Sequence, residues 1–86
     1  MNKIIKAIPL PDGILQIEMG DGRCGEFDVK PFMSSDYFSA LKNHDYFQKV
    51  GLFFAGVGWP DGQDLSPDTI AAQLREAEGM HTGKSK

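Results

Sequence analysis

Three aspartates, Asp61, Asp64 and Asp68, fall inside "GWPDGQDLSPDTI", residues 58–70. Closely spaced carboxylates can hold a hard cation or share a proton, so this stretch is the first place to look for chemistry. The spacing argues against a cation. A calcium loop of the EF-hand kind alternates its ligands closely and ends on a bidentate Glu. Here the aspartates stand three and four apart, and no Glu follows at the needed place. The neighbouring residues have structural duties instead. With Ser66 as the N-cap of a helix, Pro67 takes the first helical position, where its missing N–H costs nothing. Asp68 then lies in the first turn, favourable against the helix dipole. Leu65 and Ile70 are placed to form a hydrophobic staple across the cap. Trp59, Pro60 and Gly62 repeat the turn chemistry of "LPDG" at 10–13, and Asp64 is suited to bond backbone groups between turn and helix. The stretch reads as a turn and a helix start.

The other reactive groups are sparse. Cys24 and His44 are the candidate thiol–imidazole pair, but a lone free cysteine usually packs as a small hydrophobe, and His44 in "KNHDYF" fits a turn. No Gly-x-Ser-x-Gly elbow is present for a Ser-His-Asp site. The glycines match neither a phosphate loop nor a dinucleotide fingerprint. Glu18, Glu26 and Asp28 gather on the polar face of the predicted sheet and read as solvated surface. One cysteine also excludes an intramolecular disulfide and a Cys-rich zinc site. The expectation is therefore a protein that is not an enzyme, with no catalytic residue, metal ligand or cofactor.

The elements that carry these residues are legible in the pattern. Leu15, Ile17 and Met19 in "ILQIEM" alternate with Ile14, Gln16 and Glu18, the period of a half-buried strand. A β-branched segment precedes it and ends at "PDG". Pro11 suits the second position of a type I turn there, and Gly13 can take the left-handed conformation that closes the hairpin. "GDG", ending at Gly22, marks a second hairpin. Then "RCGEFDV" sets Phe27 and Val29 against Cys24, Glu26 and Asp28 on the other face. "SSDYFSALKN" predicts a short helix capped by Ser34 or Ser35, with Phe38 and Leu41 inward and Asn43 as its left-handed stop. "HDYF" predicts a further helical turn that anchors Phe47. "VGLFFAGVGW" predicts a strand broken by a bulge or tight hairpin, because its glycines weaken it. The last helix is expected to run from Ser66 to Gly79, with Ile70, Ala71, Leu74 and Ala77 on its buried face.

Eighty-six residues make one domain, expected over 1–79, with a disordered basic tail over 80–86. The predicted fold class is α+β: a small antiparallel sheet, a three-stranded meander plus a fourth strand or hairpin, with two helices on one face. The order is β-β-β-α-β(β)-α. A chain of this size buries only roughly 60–65% of its unfolded surface, so most large apolar side chains are needed for the core. Leu52, Phe53, Phe54 and Trp59 remain open between core and interface, since aromatic residues also anchor binding surfaces.

The formal charge is −3, and Lys84 and Lys86 sit in a tail without acids, so the body is the more acidic part. Acidic surface suits a basic protein partner and opposes a nucleic-acid backbone. Glu18 and Glu26 are the candidate contacts. No stretch is long enough to span a membrane, and "MNKIIKAIPLPDG" breaks the apolar run that a signal peptide needs. A cytoplasmic protein is expected.

The segments "AIPLPDGILQIEMGDGRCGEFDVKPF", "FSALKNHDYFQKV" and "GWPDGQDLSPDTI" together resemble a bacterial family catalogued as domain of unknown function 2442. The resemblance runs from about Ile4 to Leu74. Its most specific part is Trp59, Pro60, Gly62, Asp64, Leu65, Pro67 and Asp68 in the family's Trp-Pro-x-Gly-x-Asp-[Leu/Ile]-x-Pro-Asp segment. The resemblance implies a small α+β domain with no established catalytic residues. It also implies relatives encoded beside a small partner protein in a toxin–antitoxin-like arrangement. Some relatives continue into a helix-turn-helix domain, whereas a short polar tail follows Gly79 here. Others bear names from molybdopterin cofactor synthesis, which no motif of this chain matches. The expected function is a non-catalytic interaction or regulatory module, the antitoxin-like member of such a pair, binding a protein partner or itself. The alternative is a small-ligand-binding domain with its pocket between sheet and helices.

Overall fold

Alternation of apolar and polar side chains builds the first third of the molecule. The computed structural model describes residues 2–76. It places strands β1 (Ile4–Leu10), β2 (Ile14–Met19) and β3 (Cys24–Asp28) in an antiparallel meander. Ile17 lies opposite Ala7, and Leu15 lies between Pro9 and Phe27. Leu15, Ile17, Met19, Phe27 and Val29 are buried, while Gln16 and Glu26 face outward. The first hairpin closes over Pro11–Gly13 with Gly13 at φ 72, as its turn chemistry requires, and Asp12 joins it at φ 66. A register shift between Ile4 and Lys6 leaves Ile5 at the surface, 45% exposed.

The segment after β3 departs from the expected helix. Residues Lys30–Ser34 and Ser39–Lys42 form two 3-10 turns, followed by one α-helical turn, α1 (His44–Phe47). The serines supply the reason. The hydroxyls of Ser34, Ser35 and Ser39 donate back to the carbonyls of Pro31, Phe32 and Asp36, and such local bonds compete with α-helical ones. Ser35 Oγ does accept from Phe38 N–H, at 3.3 Å, so the capping chemistry is present without the helix. Asn43 is no left-handed stop. At φ −79 it is the N-cap of α1, and its side chain accepts from Tyr46 N–H. Phe47 is buried, as expected of the anchor.

Strands β4 (Gly51–Phe53), β5 (Gly56–Gly58) and β6 (Asp64–Leu65) make a second antiparallel sheet. The hairpin expected within this segment is therefore present, but it forms a sheet of its own. Ile4 N–H donates to the Ala55 carbonyl at 2.7 Å and joins the two sheets. Helix α2 (Pro67–Gln73) follows. It ends well short of Gly79, because Leu74 turns extended (φ −67, ψ 128) and β7 (Arg75–Glu76) pairs antiparallel with Glu26 and Gly25 of β3. Ala77 and the tail over 80–86 lie outside the described residues.

The described residues are thus α+β, with antiparallel sheets of four and three strands and two short helices. Phe47 of α1 and Ile70 of α2 enter the same buried cluster as Leu15, Ile17 and Phe27. No helix among the described residues is long and apolar enough to cross a membrane.

Candidate functional site

The segment at 58–70 is held by side chains from the middle of the chain. Trp59 is 5% exposed. Its ring stacks on Phe47 with centroids 5.9 Å apart, and its Nε1 donates to the Phe47 carbonyl at 2.9 Å. Tyr46 Oη accepts from Asp61 N–H and donates to Gln63 Oε1, each at 2.8 Å. The Tyr37 hydroxyl donates to the Gly62 carbonyl. Trp59 therefore belongs to the core, and Pro60 to Gly62 form a clamped turn. Tyr46 and Gln63 carried no local signal of this role, since their bond spans seventeen positions.

The three aspartates have separate surroundings. Asp61 is exposed in the clamped turn, and Asp64 is exposed on β6 opposite Gly58. Asp68 Oδ1 accepts from Asn2 Nδ2 at 2.9 Å, and Arg23 donates in turn to Asn2 Oδ1 at 2.7 Å. Ser66 Oγ accepts from Thr69 N–H at 3.1 Å, the cap bond that the sequence predicts, with Pro67 in the first turn. Leu65 and Ile70 are buried on either side of it. Among the described residues no group of three or more His, Cys, Asp or Glu side chains is arranged to hold a metal ion.

Cys24 is half-buried on β3 opposite Glu18. His44 lies beside the Pro11–Gly13 loop, at the other end of the meander, so the structure does not bring the two together. The acids of the outer sheet face have basic neighbours. Glu18 stands opposite Lys6, and Glu26 opposite Arg75. Partial burial opposes ionisation of Asp28. The Lys30 N–H at 2.9 Å and its ammonium at 3.0 Å, with Arg75 beyond, nonetheless hold this carboxyl below its usual value. Asp21 is lowered likewise, by the N–H of Arg23 and then its guanidinium at 2.8 Å. Glu18 and Glu26 thus each have a basic residue opposite in the register, without a salt bridge to it.

Two features stand apart from this framework. The first is apolar. Leu52 and Phe53 are 52% and 55% exposed, and Phe54 is 87% exposed. Phe54 and Ala55 form the two-residue turn between β4 and β5 with φ of 49 and 69. This is the geometry that Asn-Gly normally supplies. Strand β1 runs close to β4, and its Ile5 and Ile8 are also exposed. The second is a cleft of about 460 Å³ between the Pro11–Gly13 loop and the turns carrying Lys30, Met33, Lys42, His44 and Phe47. No spacing rule links Lys30 and Lys42, which lie in different turns.

A family model described as "Protein of unknown function (DUF2442)" matches residues 4–76. No curated protein and no solved structure matches the chain.

Proposed function

The chain belongs to the DUF2442 family, and we propose that it acts as a non-catalytic protein-binding module whose contact surface is the β4–β5 hairpin with the adjoining strand β1. The observation that carries this reading is the conformation of Phe54. A left-handed backbone costs an L-residue roughly 1–2 kcal/mol, and a bulky side chain there is an outlier. The ring also gains little from burial, because it is 87% exposed. A residue that is unfavourable in both respects fits a role outside the fold. Phe53, packed edge-on against Phe54 with centroids 4.9 Å apart, and Leu52, 52% exposed, extend the apolar surface around it. Such surfaces mark interaction sites.

Local charge favours a partner different from the one suggested by net charge. Lys3 and Lys49, both exposed, stand beside this surface in the chain, while Glu18 and Glu26 are already faced by Lys6 and Arg75. The complementary partner is a protein segment with apolar side chains flanked by acids. In a toxin–antitoxin-like pair, it would come from the small protein encoded alongside.

The test is affinity capture from the native host with wild type and with the double variant Phe54→Asn, Ala55→Gly. The double variant should fold at least as stably, since it restores the preferred turn residues. It should lose the captured partner. A partner retained by the double variant, or one bound through a basic segment, would show that the contact lies elsewhere.

A further inference from the structure

We propose that the outer edge of β4 pairs with β4 of a second copy of this chain, antiparallel about a two-fold axis at Leu52. The pairing uses the strand edge, whereas the contact proposed above centres on the turn at Phe54, so neither reading rests on the other.

An edge strand attracts other strands unless something blunts it. Among the described residues, β1 carries Pro9, Lys6 and a register shift, and a proline on an edge removes a donor. Strand β6 carries Asp64, and β7 consists of Arg75 and Glu76. Strand β4 stands at the edge of its sheet with no charge, proline or register shift. Its residues Gly51, Leu52 and Phe53 are all exposed. No residue from Val50 to Pro60 is charged, so two copies meet there without like charges face to face.

The free backbone groups lie where a two-fold pairing needs them. A two-residue turn joins β4 to β5, so its flanking pair, Phe53 and Gly56, exchanges both hydrogen bonds. Gly51 and Gly58, two positions on, do the same. Leu52 therefore directs its N–H and C=O away from β5, and among the described residues they bond no other backbone group. The Ile4 N–H reaches the hairpin at Ala55, on the turn, and leaves Leu52 free. Two Leu52 residues face to face can exchange both bonds.

The side chains fit the same axis. With Leu52 opposite Leu52, Phe53 of one copy stands opposite Gly51 of the other, on one face of the sheet. A Cβ built on Gly51 meets nothing within 4 Å, so this glycine leaves an open place on that face. An aromatic ring across from an edge glycine covers its bare backbone. The exposed Phe53 ring supplies that cover twice, once from each copy. An edge of three residues gives an interface at the small end of the specific range, so the dimer is weak and depends on concentration.

The test is sedimentation velocity on the purified full chain from about 10 μM to about 1 mM, a range that brackets weak association. Wild type should pass from monomer to dimer. Leu52→Lys and Leu52→Glu each place like charges face to face, and each should weaken the dimer about tenfold. Position 52 is exposed, so circular dichroism should show the fold unchanged in both. An equimolar mixture of the two should regain the dimer, because opposite charges then meet across the axis. The Phe54→Asn, Ala55→Gly variant should dimerise as wild type does, which separates this edge from the contact at the turn. A wild type that stays monomeric at about 1 mM, or a mixture no more dimeric than either variant alone, would overturn the pairing. So would a dimer that the turn variant loses and the Leu52 variants keep.

Discussion

The indole N–H of Trp59 bonds the carbonyl of Phe47 at 2.9 Å, while the two rings stack 5.9 Å apart. One side chain thus secures the end of α1 to the start of the clamped turn. Trp59→Phe keeps an aromatic ring in the core but deprives the Phe47 carbonyl of this donor. The carbonyl keeps the Val50 N–H at 3.3 Å, so the loss should be about 0.5–1.5 kcal/mol, the net value of one hydrogen bond. Trp59→Ala should cost about 3–5 kcal/mol, because a cavity is added. Chemical denaturation of both variants gives the comparison. A Trp59→Phe variant as stable as wild type would mean that the hydrogen bond contributes nothing beyond packing, and equal losses in the two variants would mean that the ring's packing adds nothing to the bond.

The cap and the carboxylates of the same segment separate cleanly. Ser66 Oγ accepts from Thr69 N–H, so Ser66→Ala should lower stability by about 1 kcal/mol. Asp61 is exposed, and it is its backbone N–H that bonds Tyr46. Asp61→Asn should therefore leave stability within about 0.5 kcal/mol. Calcium or magnesium should not raise the melting temperature of either protein. A metal-induced rise in wild type that Asp61→Asn abolishes would restore a cation role.

Local patterns carried most of these features, and their failures have a common cause. The meander was legible because alternation fixes which side of a strand is buried, and the start of α2 because Leu65 to Ile70 form a compact local code. The turn at Phe54–Ala55 was not legible in its detail, because neither residue is one that such a turn prefers. Strand β7 depends on pairing across a long separation, as when Arg75 meets Glu26. The cleft likewise joins Gly13, Lys30 and Lys42, residues from three loops that no spacing rule connects. For Trp59, composition left core and surface open, and its position over Phe47 decides for the core.

Asp28 gives a pH dependence with a definite sign. Lys30 and Arg75 hold its folded-state carboxyl below the ordinary value of 3.8 despite the opposing effect of partial burial. The unfolded chain therefore takes up the proton first as pH falls. The stabilisation is fully present above about pH 4 and is lost as pH drops through the lowered folded value. Asp28→Asn should reduce stability at neutral pH and flatten the dependence below pH 4. Thermal melts between pH 2.5 and 7 would reveal this. Parallel curves for wild type and variant would show that Asp28 does not contribute.

Gly25 tests the short strand that closes the four-stranded sheet. Built onto its backbone, a Cβ would run into the Arg75 carbonyl and the Glu76 Cα, so β7 can lie beside β3 only while position 25 has no side chain. Gly25→Ala should displace residues 75–76 and leave the meander in place. Amide exchange should accelerate at β7 while Leu15, Ile17 and Phe27 stay protected. The cost in the full chain should be about 1–3 kcal/mol, as for other overpacked sites. Removing the chain after Leu74 eliminates the obstacle. In that shortened background Gly25→Ala should become neutral or slightly stabilising, because alanine loses less backbone freedom than glycine in a strand. The two changes should therefore be strongly non-additive, as expected of groups in direct contact. Additive costs would mean that β7 does not rest on Gly25.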